Sequence, residues 1–126
     1  MVDQHIPGCI IFLTSIHQWI LRRAVSYSAT KAALGMIVKE LAIDLAPYGI
    51  RVNGIAPGWV DEDVTGHPYP YDRPVLHGSS INPRYIGRAV VYLSSDYFSR
   101  FTTGTVLQVD GGLSLGNYLV YSKSTL

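Results

Sequence analysis

Cysteine is all but absent from this chain of 126 residues, with Cys9 standing alone. Without a second thiol there is no disulfide framework within the chain and no cysteine cluster for a metal. Cys9 lies inside the apolar run Cys9-Ile10-Ile11-Phe12-Leu13, where it reads as a buried, reduced thiol. Charge of one sign is missing as well. Ten basic residues against nine acidic ones give a net charge of +1 with no long run of either kind, so no nucleic-acid or acidic-surface partner is expected. Long apolar runs are lacking too. The apolar stretch near the N-terminus is too short to span a bilayer, and Asp3, His5 and Pro7 ahead of it are not the basic lead of a signal peptide. No membrane segment is expected, and a cytoplasmic setting is the default. Finally, the 12 glycines never fall into G-x-G-x-x-G, the turn that receives a dinucleotide pyrophosphate on backbone N–H groups. There is no internal repeat, low-complexity block or interdomain linker.

What is present is the composition of a globular protein, one domain or part of one, with 48% hydrophobic and 15% charged residues. After Gly8, the run Cys9 to Leu13 is apolar on both faces and reads as a buried parallel strand, with Thr14 and Ser15 at its C-terminal end. Open α/β sheets bind ligands there. The loop Ile16 to Val25 follows, holding His17, Trp19, Ile20 and the solvated pair Arg22 and Arg23. From Ser26 to about Leu45 the period is helical, with Ala29, Ala32, Ala33, Leu34, Ile37, Val38, Leu41, Ala42 and Leu45 forming a wide apolar surface. Pro47 and Gly49 end it. Ile50 to Ile55 reads as the next strand, Arg51 and Asn53 alternating against Val52 and Ile55, and it delivers the bend Pro57-Gly58. Asn82-Pro83 starts a second helix with Ile86, Ala89, Val90, Val91 and Leu93 on its apolar side, closed by Ser94-Ser95-Asp96. A last strand covers about Val106 to Val109, before Asp110-Gly111-Gly112 and a tail from Asn117.

One segment carries chemistry: Ser26-Tyr27-Ser28-Ala29-Thr30-Lys31. Tyr27 and Lys31 are four residues apart, so on a helix the phenol and the ammonium share a face. A cation beside a tyrosine favours the phenolate, and such a tyrosine can exchange a proton with an alcohol or carbonyl oxygen. Tyr-x-x-x-Lys is also a common surface pair, and alone it decides little. Here it falls in series with Ser15, twelve residues upstream, with Arg51-Val52-Asn53-Gly54-Ile55-Ala56-Pro57-Gly58, with Thr103-Gly104 and with Val109-Asp110-Gly111-Gly112. Taken in this order, from about Gly8 to Leu115, these motifs resemble the C-terminal half of a short-chain dehydrogenase/reductase.

The resemblance implies an α/β fold that is the C-terminal half of a Rossmann-like doubly wound parallel sheet, the N-terminal dinucleotide-binding half being absent. Residues 1–126 would then be a partial domain, its catalytic and substrate-lid half. It implies an NAD(P)-dependent oxidoreductase acting on an alcohol/carbonyl pair, with Tyr27 as acid/base, Ser15 bonding the substrate oxygen, and Lys31 tuning Tyr27 and holding the nicotinamide ribose. Pro57 and Gly58 would cover the nicotinamide, and the Val60 backbone would meet its carboxamide. Ser15, His17, Tyr69 and Tyr71 are the substrate-side candidates, the two tyrosines lying in the Pro-rich stretch Thr65 to Ser80 that matches the family's variable lid. The helix Ser26 to Leu45 would join a homo-oligomer.

Three departures accompany the resemblance. The gap from Ser15 to Tyr27 is one residue shorter than in the family, so the loop between them must be tightened, with Thr14 as the alternative hydroxyl. Asp61-Glu62-Asp63 stands where the family has a threonine near the cofactor, and carboxylates beside a pyrophosphate repel it. The pyrophosphate-binding turn itself is missing, so the chain alone is expected to bind NAD or NADP weakly or not at all. The rival reading is a non-catalytic oligomerisation or interaction module derived from the same family.

Overall fold

The computed structural model describes residues 1–4, 6–21, 23–60 and 80–115. Strand β1 is Gly8–Leu13, and a 3-10 turn at Ile16–Gln18 leads into helix α1, Val25–Leu45. A second 3-10 turn, Ala46–Tyr48, leads to strand β2, Ile50–Pro57. Helices α2, Pro83–Ser94, and α3, Asp96–Ser99, precede strand β3, Val106–Val109, and a 3-10 turn at Leu113–Leu115. Each expected strand and helix is there, with α1 starting one residue earlier and β2 running two residues further than the periodicity indicated.

Among the described residues the strands form one parallel sheet in the order β1-β2-β3. Parallel neighbours need a crossover, and here helices supply both. α1 and α2 cover opposite faces. Ala42 of α1 packs with Ile50 and Val52, joined by Ile10 and Phe12, whereas Ile86, Ala89 and Leu93 of α2 pack with Ile55, joined by Ile11 and Leu107. Along β1 and β2 the residues alternate between the two clusters, as the pleat requires, so the sheet is doubly wound.

The ends of these elements follow their local chemistry. Asn82 caps α2, its side-chain oxygen accepting from the Arg84 N–H at 3.0 Å, and Pro83 sits in the first turn, where no N–H is needed. Gly49 takes φ 65, the left-handed conformation that lets the chain leave the Ala46–Tyr48 turn and enter β2.

Three expectations about burial are corrected by the fold, and the two polar residues of β2, Arg51 and Asn53, are found buried. The Arg51 guanidinium donates to the carbonyls of Leu93 at 2.7 Å and Ser94 at 3.3 Å, to Ser99 Oγ at 3.2 Å and to Asp96 Oδ1 at 3.0 Å. It thus ties off the last carbonyls of α2, which have no partners within the helix. Asn53 donates to the Thr102 carbonyl at 2.8 Å and accepts from the Thr105 N–H at 3.3 Å, fastening the loop that leads to β3. Val91 is exposed, because the apolar side of α2 is a narrower stripe through Ile86, Ala89 and Leu93. Of the apolar surface of α1, only Val38 and Ala42 are buried along with Gly35, while Ala29, Ala32, Ala33 and Ile37 stay exposed. Cys9 is half-buried, its thiol donating to the Leu93 carbonyl at 3.4 Å. Burial pushes that thiol's pKa up, against the opposing pull of the Arg51 guanidinium.

Candidate active site

The chain leaves β1 with Thr14 still bonded to the sheet. Its N–H donates to the Ile55 carbonyl at 2.8 Å and its hydroxyl donates to the same oxygen at 3.1 Å. That hydroxyl also accepts from Gln18 Nε2 at 2.9 Å. Thr14 is therefore engaged on both its donor and acceptor sides, and as an alternative to Ser15 it has no proton left to offer.

Ser15, next in line, caps the 3-10 turn. Its Oγ accepts from the His17 N–H at 3.2 Å, which leaves the hydroxyl proton for another acceptor. The side chain is 6% exposed. The return to α1 is tight, with Arg23 taking φ 53, a left-handed conformation that a side chain disfavours by roughly 1 kcal/mol.

On the first turns of α1, Tyr27 and Lys31 share a face as their spacing requires. Lys31 Nζ lies 5.6 Å from the centroid of the Tyr27 ring and donates to the Leu13 carbonyl at 3.0 Å. An ammonium has three donors, so two remain available. The His17 ring meets the Tyr27 ring edge-on, with centroids 5.0 Å apart and planes at 89°, and its Nδ1 lies 3.4 Å from Ser28 Oγ. Tyr27 is 46% exposed and so is reachable from outside. Ser15, His17, Tyr27 and Lys31 are thus linked at the C-terminal end of β1.

Pro57, Gly58 and Val60 leave the C-terminal end of the neighbouring strand. The Gly58 N–H donates to the Val109 carbonyl at 3.0 Å, and a Cβ on Gly58 would stand 2.8 Å from Asp110 Cα. The glycine is required by the protein's own backbone rather than only by a ligand. Val60 forms a parallel bridge with Ile81, which closes the neck of the segment between them. Tyr69, Tyr71 and the acidic trio Asp61-Glu62-Asp63 lie outside the described residues, as do Arg22 and the tail from Asn117.

One positioning residue was not singled out by sequence. Gln18 Nε2 donates to the Ser15 carbonyl at 3.0 Å as well as to Thr14 Oγ1, so its amide braces the turn that presents Ser15. It fits because α1 has a glycine beneath it: a Cβ on Gly35 would come within 2.2 Å of Gln18 Oε1. A buried glycine in mid-helix is the signal that could have found the pair, since it lowers helix stability and calls for a packing reason.

These residues fit one side of a nicotinamide dinucleotide. Lys31 offers donors and Tyr27 an accessible phenol, whereas no described residue forms a glycine-rich cradle for a pyrophosphate.

The comparisons match the chain to about half of longer proteins. The family model described as enoyl-(acyl carrier protein) reductase matches residues 1–114. A 3beta-hydroxysteroid dehydrogenase of Eggerthella lenta is 37% identical over 122 residues, which are 90% of this chain and 46% of that protein. The structure of an oxidoreductase from Escherichia coli K-12 superposes with a TM-score of 0.82 at 34% identity, covering 94% of this chain and 47% of the other. A 4-hydroxyisoleucine dehydrogenase complexed with NADH gives a TM-score of 0.79 at 28% identity over 91% of this chain and 50% of its own. The chain spans about half the length of the curated relatives it matches. With its sheet order, its Tyr27 and Lys31 on one face of α1 and these matches in agreement, the chain belongs to the short-chain dehydrogenase/reductase family.

Proposed function

We propose that residues 1–126 form the catalytic and substrate-lid half of an NAD(P)-dependent oxidoreductase that interconverts an alcohol and a carbonyl compound. The observation that carries this reading is the convergence of Ser15, Tyr27 and Lys31 at the end of β1, with Lys31 anchored on the Leu13 carbonyl and facing the Tyr27 ring. In this reading the Ser15 hydroxyl donates to the substrate oxygen and orients it. Tyr27 gives a proton to that oxygen on reduction and takes it on oxidation. Lys31, positioned by Leu13, uses its remaining donors on the nicotinamide ribose and supplies positive charge beside the phenol. His17 holds the Tyr27 ring from its edge and borders the substrate, together with Tyr69 and Tyr71 from the lid. Pro57, Gly58 and Val60 flank the nicotinamide. When bound, the nicotinamide provides or accepts the hydride; the protein supplies orientation and electrostatics. A cytoplasmic location and a homo-oligomer through α1 belong to the same reading, the latter supported by the exposed Ala29, Ala33 and Ile37. That exposed face also favours a second reading, an interaction module without turnover.

Titration of the purified chain with NADH and NADPH, followed by nicotinamide fluorescence, separates the two. The expected result is weak saturable binding that disappears in Lys31→Ala, with little turnover because the pyrophosphate cradle is missing. Equal binding by Lys31→Ala, or none by a folded chain at millimolar dinucleotide, would favour the module.

A further inference from the structure

A cavity of about 270 Å³ lies between α1 and the entry to β3, lined by Gln18, Trp19, Gly35, Met36, Lys39 and Thr105 among others. Gly35, Met36 and Lys39 fall at helical spacing on one flank of α1. Ala32, on the same flank, and Gly35 carry too little side chain to close the angle between helix and sheet. The space is separate from the candidate active site, because Ser15, Tyr27 and Lys31 do not line it.

Three kinds of group meet there. Trp19 and Met36 offer apolar surface and are 50% and 55% exposed. Lys39 offers a cation without a counter-ion. The positions three and four residues from it on α1 are Gly35, Met36, Ala42 and Ile43, so no carboxylate pairs with it along the helix. No described Asp or Glu lines the cavity, and none bridges to Lys39 from elsewhere. Gln18 offers an acceptor. Its Nε2 is spent on Thr14 Oγ1 and the Ser15 carbonyl, whereas its Oε1 has no hydrogen-bond partner among the described residues. No buried polar side-chain atom among these residues is left without a partner, so Oε1 is reachable from outside.

We propose that this cavity binds a small aromatic carboxylate that carries an N–H or O–H donor at the end remote from its charge. The carboxylate meets the Lys39 ammonium and the Thr105 hydroxyl, the ring lies on Trp19 and Met36, and the donor reaches Gln18 Oε1. The lengths agree. Gln18 Oε1 lies over Gly35, and from Gly35 to Lys39 is about 6 Å along the axis of α1, the span of a bicyclic ring with one methylene. The volume also selects the occupant. It is close to the lower end of small-molecule sites, about 300 Å³, and a partner helix, about 10 Å across, does not fit. Such a ligand rests on the side chain that braces the turn bearing Ser15, so its binding is felt at that turn. The proposal does not depend on the oxidoreductase reading, because binding is measured without dinucleotide.

The test titrates the full 126-residue chain with indoleacetate and follows amide and side-chain shifts by NMR. Saturable shifts are expected at the Gln18 side-chain amide, the Trp19 indole N–H and the Thr105 amide, with a dissociation constant of about 1 mM or tighter. Neutral indoleacetamide should bind about tenfold more weakly, and so should indoleacetate to Lys39→Met, since each change removes one side of the charge-assisted contact. Ala32→Phe fills the cavity and should abolish the shifts. No saturation at about 20 mM overturns the proposal, as does equal affinity for the acetate and the acetamide. Shifts centred on Tyr27 and Lys31 put the ligand in the candidate active site and overturn it too. Binding that weakens as protein concentration rises gives the cavity to a second copy, with the same consequence. Should Ala32→Phe not fold, the comparison of acetate with acetamide in the unaltered chain decides by itself.

Discussion

β1 and β2 are neighbours in one sheet, both rich in apolar residues, and they are covered very differently. Seven of the eight residues of β2 are buried, and none of the six of β1 is. β2 is held between both helices and both neighbouring strands, and even its polar residues are spent on the scaffold: Arg51 closes α2, and Asn53 holds the loop into β3. Among the described residues β1 is paired on one side only, and the candidate site residues stand at its end. The stability of this fold is thus concentrated in a strand that carries no reactive group, and the candidate site is mounted on its margin. A site needs access, and access is incompatible with complete burial.

The sharpest way to break that contrast is a matched pair of truncations, one in each strand. Ile55→Ala, at a side chain with 0% exposure, should destabilise the chain by about 2–5 kcal/mol through lost transfer energy and a cavity. Leu13→Ala, at 53% exposure, should change stability by less than about 0.5 kcal/mol. Urea unfolding followed by circular dichroism measures both, and equal losses would end the distinction.

A smaller effect is expected at the polar hub of β2. Arg51→Met should cost about 2–3 kcal/mol, because the Leu93 and Ser94 carbonyls at the end of α2 lose their donor. Asp96→Asn should cost no more than about 1 kcal/mol, since the carboxylate that meets Arg51 is 77% exposed and screened by water. If the two losses were equal, the ion pair rather than helix capping would be the role of Arg51.

The smallest effect carries the most information about the site. Gly35→Ala alone adds helix propensity worth about 1 kcal/mol but drives Gln18 off its seat, losing its bonds to Thr14 and Ser15. A net loss of about 0.5–1 kcal/mol is expected. In a Gln18→Ala background the same change should instead stabilise by about 1 kcal/mol. The reversal of sign, read from a double-mutant cycle, is the signature of the brace, and two independent sites would show none.

Much of this was legible in the sequence because it depends on local rules. The apolar run Cys9 to Leu13, the helical period of α1, the Asn82-Pro83 start and the Tyr27/Lys31 spacing each report a short stretch of backbone, and each is found where expected. The misreadings share a different cause. Alternation with apolar neighbours does not tell whether Arg51 and Asn53 are buried; what buries them is the end of α2 and the loop at Thr102, some forty to fifty residues away in sequence. Val91 was assigned to the core because five apolar residues in α2 exceed the stripe that one sheet face can accept. Gln18 carries no motif, and its role exists only because Gly35 passes beneath it.

By itself, the sequence determined the order of strands and helices and the parallel doubly wound class, and it put forward Ser15, Tyr27 and Lys31 as candidates, since periodicity and side-chain chemistry are properties of neighbours along the chain. The tertiary structure alone decided which polar groups are buried and how the turn bearing Ser15 is braced, because those depend on residues that only folding brings together.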